Sequence, residues 1–548
     1  MHIPPHKRVA IALAAIIAAS MGLSTYWVFK VPIFEAPDEP GHLDYALNIY
    51  SAGRLISVRE PLQAWNGPVE DRHVFTQYLV DESREESIAF HHSVKAPPGY
   101  GTREFYGRVD LNAPAEHSGG LAGTPRTHFG YLTVYPMAYY SVLAAWMKLI
   151  SVFSRRITVL FFGARLLSVV LLGCSLVLMY ATARELHFTS GRALLVTGIA
   201  GLFPMTTFVS AYVQPDNLSL LLVMLCCYLA LRLRRDPDNG RFLWGLGLSL
   251  GFLWATKYQF FAATSLPVFA MAIVDQMAGR RRKIGWRKLV TVLIAPTLIL
   301  MCVQLWIGYG AGAYPVFSQD HNTLHPDLAR AMRDGKWAVV SFLGDGAAYA
   351  FSNFYLKGGS LLNGSTFASF WGNFGWLDTP LTIMTPWKNA VIRNLIALLD
   401  VVVFGLTLIR LEQVFGRLIS VARRGRWKRA LCFAFSNPLM NAYFLFTVMM
   451  FGLFMVVRLS FGPQGRNWFP FILAIFMVGP DYASKALSQK VARRVLRLVV
   501  LGGLVLYCIV GSYYAIRSID RRYYGPAETA FASPAVPQVQ PAYADTRK

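Results

Sequence analysis

Five short stretches carry side chains out of keeping with an otherwise apolar chain. They are Asp38-Glu39, with His42 and Asp44 just beyond; Gln214-Pro215-Asp216-Asn217; Lys257-Tyr258-Gln259; SFWGNFGWLDTP over 369–380; and Gly462-Pro463-Gln464-Gly465-Arg466. Carboxylates, amides and two cations converging on one rim would handle an anionic ligand. Proline suits the first helical position, where no amide donor is needed, so Pro40 to Ala52 reads as a helix stopped by Gly53. Asp38 and Glu39 then stand at its N-terminal end, where the helix dipole favours the ionised carboxylate. Such a group suits a general base that takes a proton from an attacking hydroxyl or amine. The plainer reading is a helix cap with an acidic first turn. His42 and Asp44 follow on the same helix, suited to substrate or metal contact or to ordinary surface roles.

The other stretches divide in the same way. Asp216 or Asn217 either caps a helix or faces a ligand. Lys257 lies in a near-minimal connection between two apolar segments, so it must snorkel or find an anion. Arg466 sits in a glycine-flanked turn beside Gln464, and a guanidinium matches phosphate bidentately. The run containing Trp371, Trp376 and Asp378 alternates aromatics with glycine. It reads equally as an interfacial aromatic belt and as a wall for sugar rings or an isoprenoid chain. His91-His92 has no third ligand near it in sequence. No Walker A loop, G-x-G-x-x-G after a strand or H-E-x-x-H is present, which leaves ATP-driven transport and zinc-protease chemistry without a motif.

The elements that must position these residues follow from composition. Of 548 residues 54% are hydrophobic and 15% charged, and 53 Lys+Arg against 30 Asp+Glu give a net charge of +23. A mean hydropathy of +0.39, with apolar runs of roughly 20 residues repeated along the chain, marks an all-α polytopic membrane protein. The basic excess then belongs to the cytoplasmic loops, which argues against nucleic acid as a partner and names the lipid bilayer instead. The 6 cysteines all fall in apolar runs and read as small buried hydrophobes.

Spans are expected near 9–29, 160–183, 193–213, 217–233, 242–256, 259–278, 289–309, 388–409, 437–457, 467–480 and 496–516, about eleven in all. The first could be a signal peptide, but it lacks a clear small-x-small cleavage site and reads as a retained span. Basic loops at Arg184 to Arg192, Arg232 to Arg241, Arg280 to Lys288, Arg410 to Arg429 and Lys485 to Arg497 all fall inside with the N-terminus if residues 131–150 lie on the outer face. That segment carries Pro136 and a run of Tyr, and reads as an interfacial helix with its aromatics at headgroup depth. Long outer stretches are then expected at about 30–159 and 310–387. The membrane domain covers 1–516, with a loose Pro/Ala-rich outer tail over 517–548. Few ionisable residues fall inside spans; Arg165 lies near an outer end and Asp400 toward the middle of its span.

The set APDEPGHLDYA (36–46), AYVQPDNLSLLL (211–222), WATKYQF (254–260), SFWGNFGWLDTP (369–380) and GPQGRNWFP (462–470) resembles the GT-C superfamily of integral-membrane glycosyltransferases. It is most similar to a bacterial branch of multi-spanning proteins of unassigned function, and more distantly to protein O-mannosyltransferases and lipid A aminoarabinose transferases. The resemblance implies a GT-C-like bundle with interfacial helices in a long first outer loop, placed in the bacterial cytoplasmic membrane. The implied reaction moves a sugar, usually with inversion, from a polyprenyl-phosphate carrier to a glycan, lipid or protein acceptor at the extracytoplasmic face. Asp38, with Glu39 adjacent, matches the family's catalytic acidic position, and Asp216 matches a second acidic position. Lys257 and Arg466, with Gln464, correspond to the groups that meet the carrier phosphate. His42, Asn217, Trp371, Trp376 and Asp378 would support substrate or structure. Some relatives bind a divalent metal and others do not, so cofactor use stays open. A lipid-linked glycan flippase and an envelope glycan polymerase are the alternatives; a flippase calls for polar groups through the membrane depth.

Overall fold

In the computed structural model the chain is described over residues 4–31, 36–53, 136–154, 157–277, 294–310, 336–357, 360–361, 365–374, 379–381, 394–400, 437–457, 464–478 and 489–524, with short pieces between 416 and 428 and at 334. The described residues are almost wholly helical, as the apolar runs dictate. In chain order they form α1 (Pro5–Lys30), α2 (Glu39–Ala52), α3 (Ala138–Ser151), α4 (Ile157–Glu185), α5 (Ser190–Leu202), α6 (Pro204–Val209), α7 (Asp216–Arg235), α8 (Gly240–Trp254) and α9 (Tyr258–Met277). Then come α10 (Ala295–Gly310), α11 (Lys336–Tyr355), α12 (Ser365–Trp371), α13 (Pro438–Val457) and α14 (Lys490–Tyr524). Two minimal antiparallel pairings complete the set: Leu356–Lys357 with Ser360–Leu361, and Asn373–Phe374 with Thr379–Pro380.

Five apolar stretches among the described helices are long enough to cross a bilayer: Pro5–Lys30, Val159–Glu185, Asp216–Arg235, Tyr258–Asp275 and Lys490–Arg521. This is an all-α membrane protein. The spans expected at 193–213 and 467–480 are not continuous helices. The first breaks at Phe203, which is extended ahead of Pro204, because the proline ring disfavours helical backbone in the preceding residue. The second is a 3₁₀ turn, Gly465–Phe471, with Pro470 inside it, followed by the π-helix Ala474–Val478. Of the expected span 388–409 only 394–400 is described, and those residues are helical. The expected outer stretch 310–387 holds a full helix, α11, packed against α13.

The segment at 131–150 contributes α3, whose 14 residues span about 21 Å. That is short of the roughly 30 Å hydrocarbon core. Tyr139 and Tyr140 are fully buried in the protein, and Trp146 Nε1 donates to the Gly163 carbonyl of α4 at 2.8 Å. Helix α14 runs past the expected boundary at 516 to Tyr524, and Asp520 pairs with Lys30 at the end of α1 at 2.8 Å.

Charge divides the bundle into two ends. Helix α7 has Asp216 at its start and Arg232, Arg234 and Arg235 in its last turn, about 30 Å away along 20 residues. There Arg232 and Arg235 bind Glu185 of α4 at 3.0 and 3.2 Å, and Arg234 binds Asp275 of α9 at 2.9 Å. Cations at a helix C-terminus are favoured by the dipole. The opposite end holds the breaks. Phe203, at the first of them, packs against Phe370, Trp371, Phe476 and Tyr507 with ring centroids 4.9–5.7 Å apart. One aromatic thus joins α12, the π-helix and α14 to the α5–α6 break.

Gly465 makes the closest approach at that end. Its amide donates to Ser369 Oγ at 2.6 Å, and a Cβ there would run into the backbone of Phe370. Gly465→Ala should therefore push the Arg466 turn outward and cost about 1–3 kcal/mol. Gly22→Ala, inside α1 with nothing within 4 Å of the added methyl, should hold or slightly raise stability, since alanine favours helix over glycine. Thermal unfolding in detergent followed by size exclusion separates the two, and equal midpoints would refute the close packing.

Candidate functional site

The site is built on a buried ion pair. Arg165 of α4 and Glu39, the first residue of α2, are both fully buried. Arg165 Nε donates to Glu39 Oε1 at 2.8 Å and Nη2 to Oε2 at 2.6 Å, a bidentate fork. Arg165 Nη1 donates to the Val28 and Val31 carbonyls at 2.8 and 2.7 Å, at the end of α1. Glu39 Oε1 also accepts from the Val213 amide at 3.1 Å, and the guanidinium lies 4.5 Å from the Phe161 ring centroid. One pair thus joins the end of α1, the start of α2, the wall of α4 and the turn before α7.

The turn between α6 and α7 carries backbone groups freed by the helix break, and side chains take them up. Gln214 Nε2 donates to the Val209 carbonyl at 3.0 Å, and Asn217 Nδ2 donates to the Val209 and Tyr212 carbonyls at 3.2 Å. Ser168 Oγ donates to the Tyr212 carbonyl at 2.8 Å and Ser24 Oγ to the Thr207 carbonyl at 2.9 Å. Irregular backbone inside a membrane protein survives only with such partners. Asn217 is therefore a structural clamp, and Gln214 is a clamp with one oxygen turned to the site.

Two further ion pairs stand beside this scaffold. Arg466 Nη2 donates to Asp38 Oδ2, while Nη1 donates to the Pro37 carbonyl at 3.1 Å and reaches Gln214 Oε1 at 3.4 Å. Tyr212 belongs to the same electrostatic neighbourhood as Arg466. Lys257 Nζ donates to Asp216 Oδ1. Asp38 adopts φ 61°, the left-handed region that Asp tolerates better than most residues, just ahead of the anchored Glu39. His42, one turn along α2, holds the Tyr140 hydroxyl of α3 with Nδ1 at 2.8 Å. Asp38, His42, Asp216, Lys257 and Arg466 form one coupled electrostatic cluster.

Burial alone would raise the Asp38 carboxyl, but Arg466 above all, with His42 and Lys257, outweighs it and holds the group below its ordinary value. Asp38 is thus ionised throughout the physiological range. Burial drives the His42 imidazole down to about 3, Arg466 and Lys257 adding to the effect against Asp38 and Asp216. His42 is therefore neutral. Burial also lifts the Tyr212 phenol to about 12, so it is protonated.

Of the residues singled out from sequence, Asp38, His42, Asp216, Lys257 and Arg466 meet in this cluster, and Glu39 is consumed by Arg165. Trp371 lies in the core: it is 2% exposed, donates from Nε1 to Asp400 Oδ1 at 3.0 Å, and its carbonyl accepts from Tyr507. Gln464 caps the Arg466 turn through its backbone, and its buried Oε1 has no hydrogen-bond partner among the described residues. Trp376, Asp378, His91 and His92 lie outside the described residues, as does the Asp44 side chain. Among the described residues no three His, Cys, Asp or Glu side chains gather as metal ligands. Sequence reasoning missed the roles of Arg165, Tyr140 and Tyr212. A lone arginine in an apolar span was the available signal for the first; nothing local marked the tyrosines.

Removing one partner of a fully buried ion pair costs about 3–5 kcal/mol, whereas apolar replacement of both can be neutral. Arg165→Met should thus sharply lower the unfolding midpoint, and Arg165→Met with Glu39→Leu should recover much of it. An additive double variant would deny the coupling. A histidine kept neutral in the fold and protonated when unfolded withdraws stability as pH falls from its usual value, near 6.5, toward its folded value. His42→Asn should therefore shrink the loss of thermal stability between about pH 7 and 5. An unaltered pH profile would show that His42 is not held neutral.

No curated protein matches this chain. A family described as "Predicted membrane protein (DUF2142)" matches residues 21–475, a stretch that includes Asp38, Asp216, Lys257 and Arg466 together with the Arg165–Glu39 anchor. By that match over most of its length, the chain belongs to the DUF2142 family of predicted membrane proteins.

Proposed function

We propose that this protein is a glycosyltransferase resembling the GT-C enzymes, moving a sugar from a polyprenyl-phosphate donor to an acceptor hydroxyl or amine. The observation that carries the reading is the ionised Asp38 carboxylate held against Arg466, with the Lys257–Asp216 pair coupled to both. The acceptor would attack the anomeric carbon as the bond from that carbon to the phosphate oxygen breaks. Asp38 would take the acceptor proton, and the polyprenyl phosphate would leave carrying the bonding electron pair. Phosphate is already a good leaving group, so the protein supplies position and charge. Arg466 offers the leaving phosphate a planar pair of donors, and Lys257 a second cation.

The positive-inside rule assigns the Arg232–Arg235 end to the cytoplasm. The site, at the other end of α7, then faces outward, and the N-terminus of α1 lies on the cytoplasmic side of the bacterial cytoplasmic membrane. The lipid tail would run between helices. Transport is the less supported role: Arg165 and Glu39 saturate each other, and Asp400 accepts from Trp371, so neither offers a polar step through the bilayer.

Asp38→Asn should abolish the glycan modification in cells, a loss of at least about 100-fold for a general base, with expression and membrane insertion intact. Arg466→Ala should weaken use of the donor. Mass spectrometry of envelope glycans and glycoproteins with and without the gene, and with each variant, reads both effects. Full modification by Asp38→Asn would remove it from the mechanism.

A further inference from the structure

We infer that Arg466 is a phosphate-binding site that the chain keeps filled with its own Asp38 carboxylate, and that an incoming phosphate group displaces Asp38 and so frees it. The release of Asp38 as a base rests on the proposed transfer reaction; the exchange itself rests on geometry.

The two ion pairs at the site differ in what can move. Asp216 is 2% exposed and its partner Lys257 12%. Pulling Asp216 away would strand a carboxylate in the protein interior, at high cost. Asp38 is 31% exposed while Arg466 is 11% exposed. The Asp38 side chain has an open side toward solvent, whereas the guanidinium is nearly enclosed and would be left unpaired without an anion. The backbone around Asp38 is fixed on both sides. Arg466 holds the Pro37 carbonyl at 3.1 Å, and Arg165 holds Glu39 through two hydrogen bonds. Exchange therefore requires only rotation of the Asp38 side chain. Arg466 would stay in place through Pro37 and Gln214. Lys257, fixed by Asp216, supplies a second positive charge near the position that Asp38 vacates.

The ligand chemistry is a phosphate group, whether borne on a lipid or free in solution. Exchange would also tie the two halves of the proposed reaction together. While no phosphate is bound, Asp38 is spent on Arg466, and it becomes available as the phosphate takes the guanidinium.

The test is equilibrium binding to the full-length protein in nanodiscs, using farnesyl phosphate and inorganic phosphate as probes. Asp38→Asn removes the internal competitor and should bind farnesyl phosphate about tenfold tighter than the unaltered chain, equal to roughly 1.4 kcal/mol. Asp38→Gly, whose backbone suits the positive φ, should show the same gain and guards against a folding defect in the first variant. Adding Arg466→Gln should erase the gain. A matching gain with inorganic phosphate supports a site that takes phosphate from either source; a gain confined to farnesyl phosphate supports a lipid-borne ligand. Equal or weaker binding by both Asp38 variants, or a gain that persists without Arg466, overturns the exchange. Tighter phosphate binding by Asp38→Asn with cellular glycans unchanged would uphold the exchange and sink the transferase reading. Lost glycans with no gain in binding would do the reverse.

Discussion

Taking a guanidinium and a carboxylate out of water together is tolerable only when every donor finds an acceptor, because the dehydration penalty for each ion is several kcal/mol. The Arg165–Glu39 pair approaches that condition: four guanidinium N–H groups go to the carboxylate and to two carbonyls from the end of α1, and Glu39 accepts one amide from the turn before α7. The requirement works in reverse as well. Four segments, spread from Val28 to Val213, must arrive together, since any one of them missing leaves a buried charge or carbonyl unsatisfied. The candidate site inherits its rigidity from this junction: Asp38 precedes Glu39, Val213 precedes Gln214, and both lie within one residue of the anchor.

The three ion pairs form a gradient of exposure. Arg165–Glu39 is closed, Lys257–Asp216 is nearly closed, and Arg466–Asp38 opens to solvent on the carboxylate side. In a low-dielectric setting a closed pair fixes geometry and an open one can trade partners. Burial thus grades three ion pairs built from the same residue types. The neighbouring neutral pair, His42 with Tyr140, adds a hydrogen bond without adding charge.

Irregular backbone concentrates at the same end of the bundle. The break at Phe203-Pro204 lies one short helix ahead of the Gln214 turn, and the 3₁₀ turn that carries Arg466 leads into the π-helix. Regular helices would have presented side chains only on their faces. The breaks let Gln214 and Arg466 approach from turn positions, and the freed carbonyls are taken up by Ser24, Ser168, Gln214 and Asn217. Aromatic packing around Phe203 fills the space that the interrupted helices leave.

Much of this was legible in the chain itself. Apolar runs of bilayer length fixed the class, proline and glycine marked both ends of α2, and the out-of-place polar residues named the members of the cluster. Among the described residues five helices have spanning length where about eleven runs are expected, and hydropathy cannot distinguish a continuous helix from one broken at Pro204 or Pro470, nor a loop from α11. Partnership was also beyond local reading. Asp38 and Glu39 are adjacent acidic residues with the same propensities, yet one is sealed against Arg165 and the other faces Arg466. Composition and periodicity determined that this chain would be a helical membrane protein with charged residues at helix ends. Only the tertiary structure decided which charge meets which, since the pairing energy depends on burial and distance across 126 and 428 residues of sequence, and neither quantity is written in any local window.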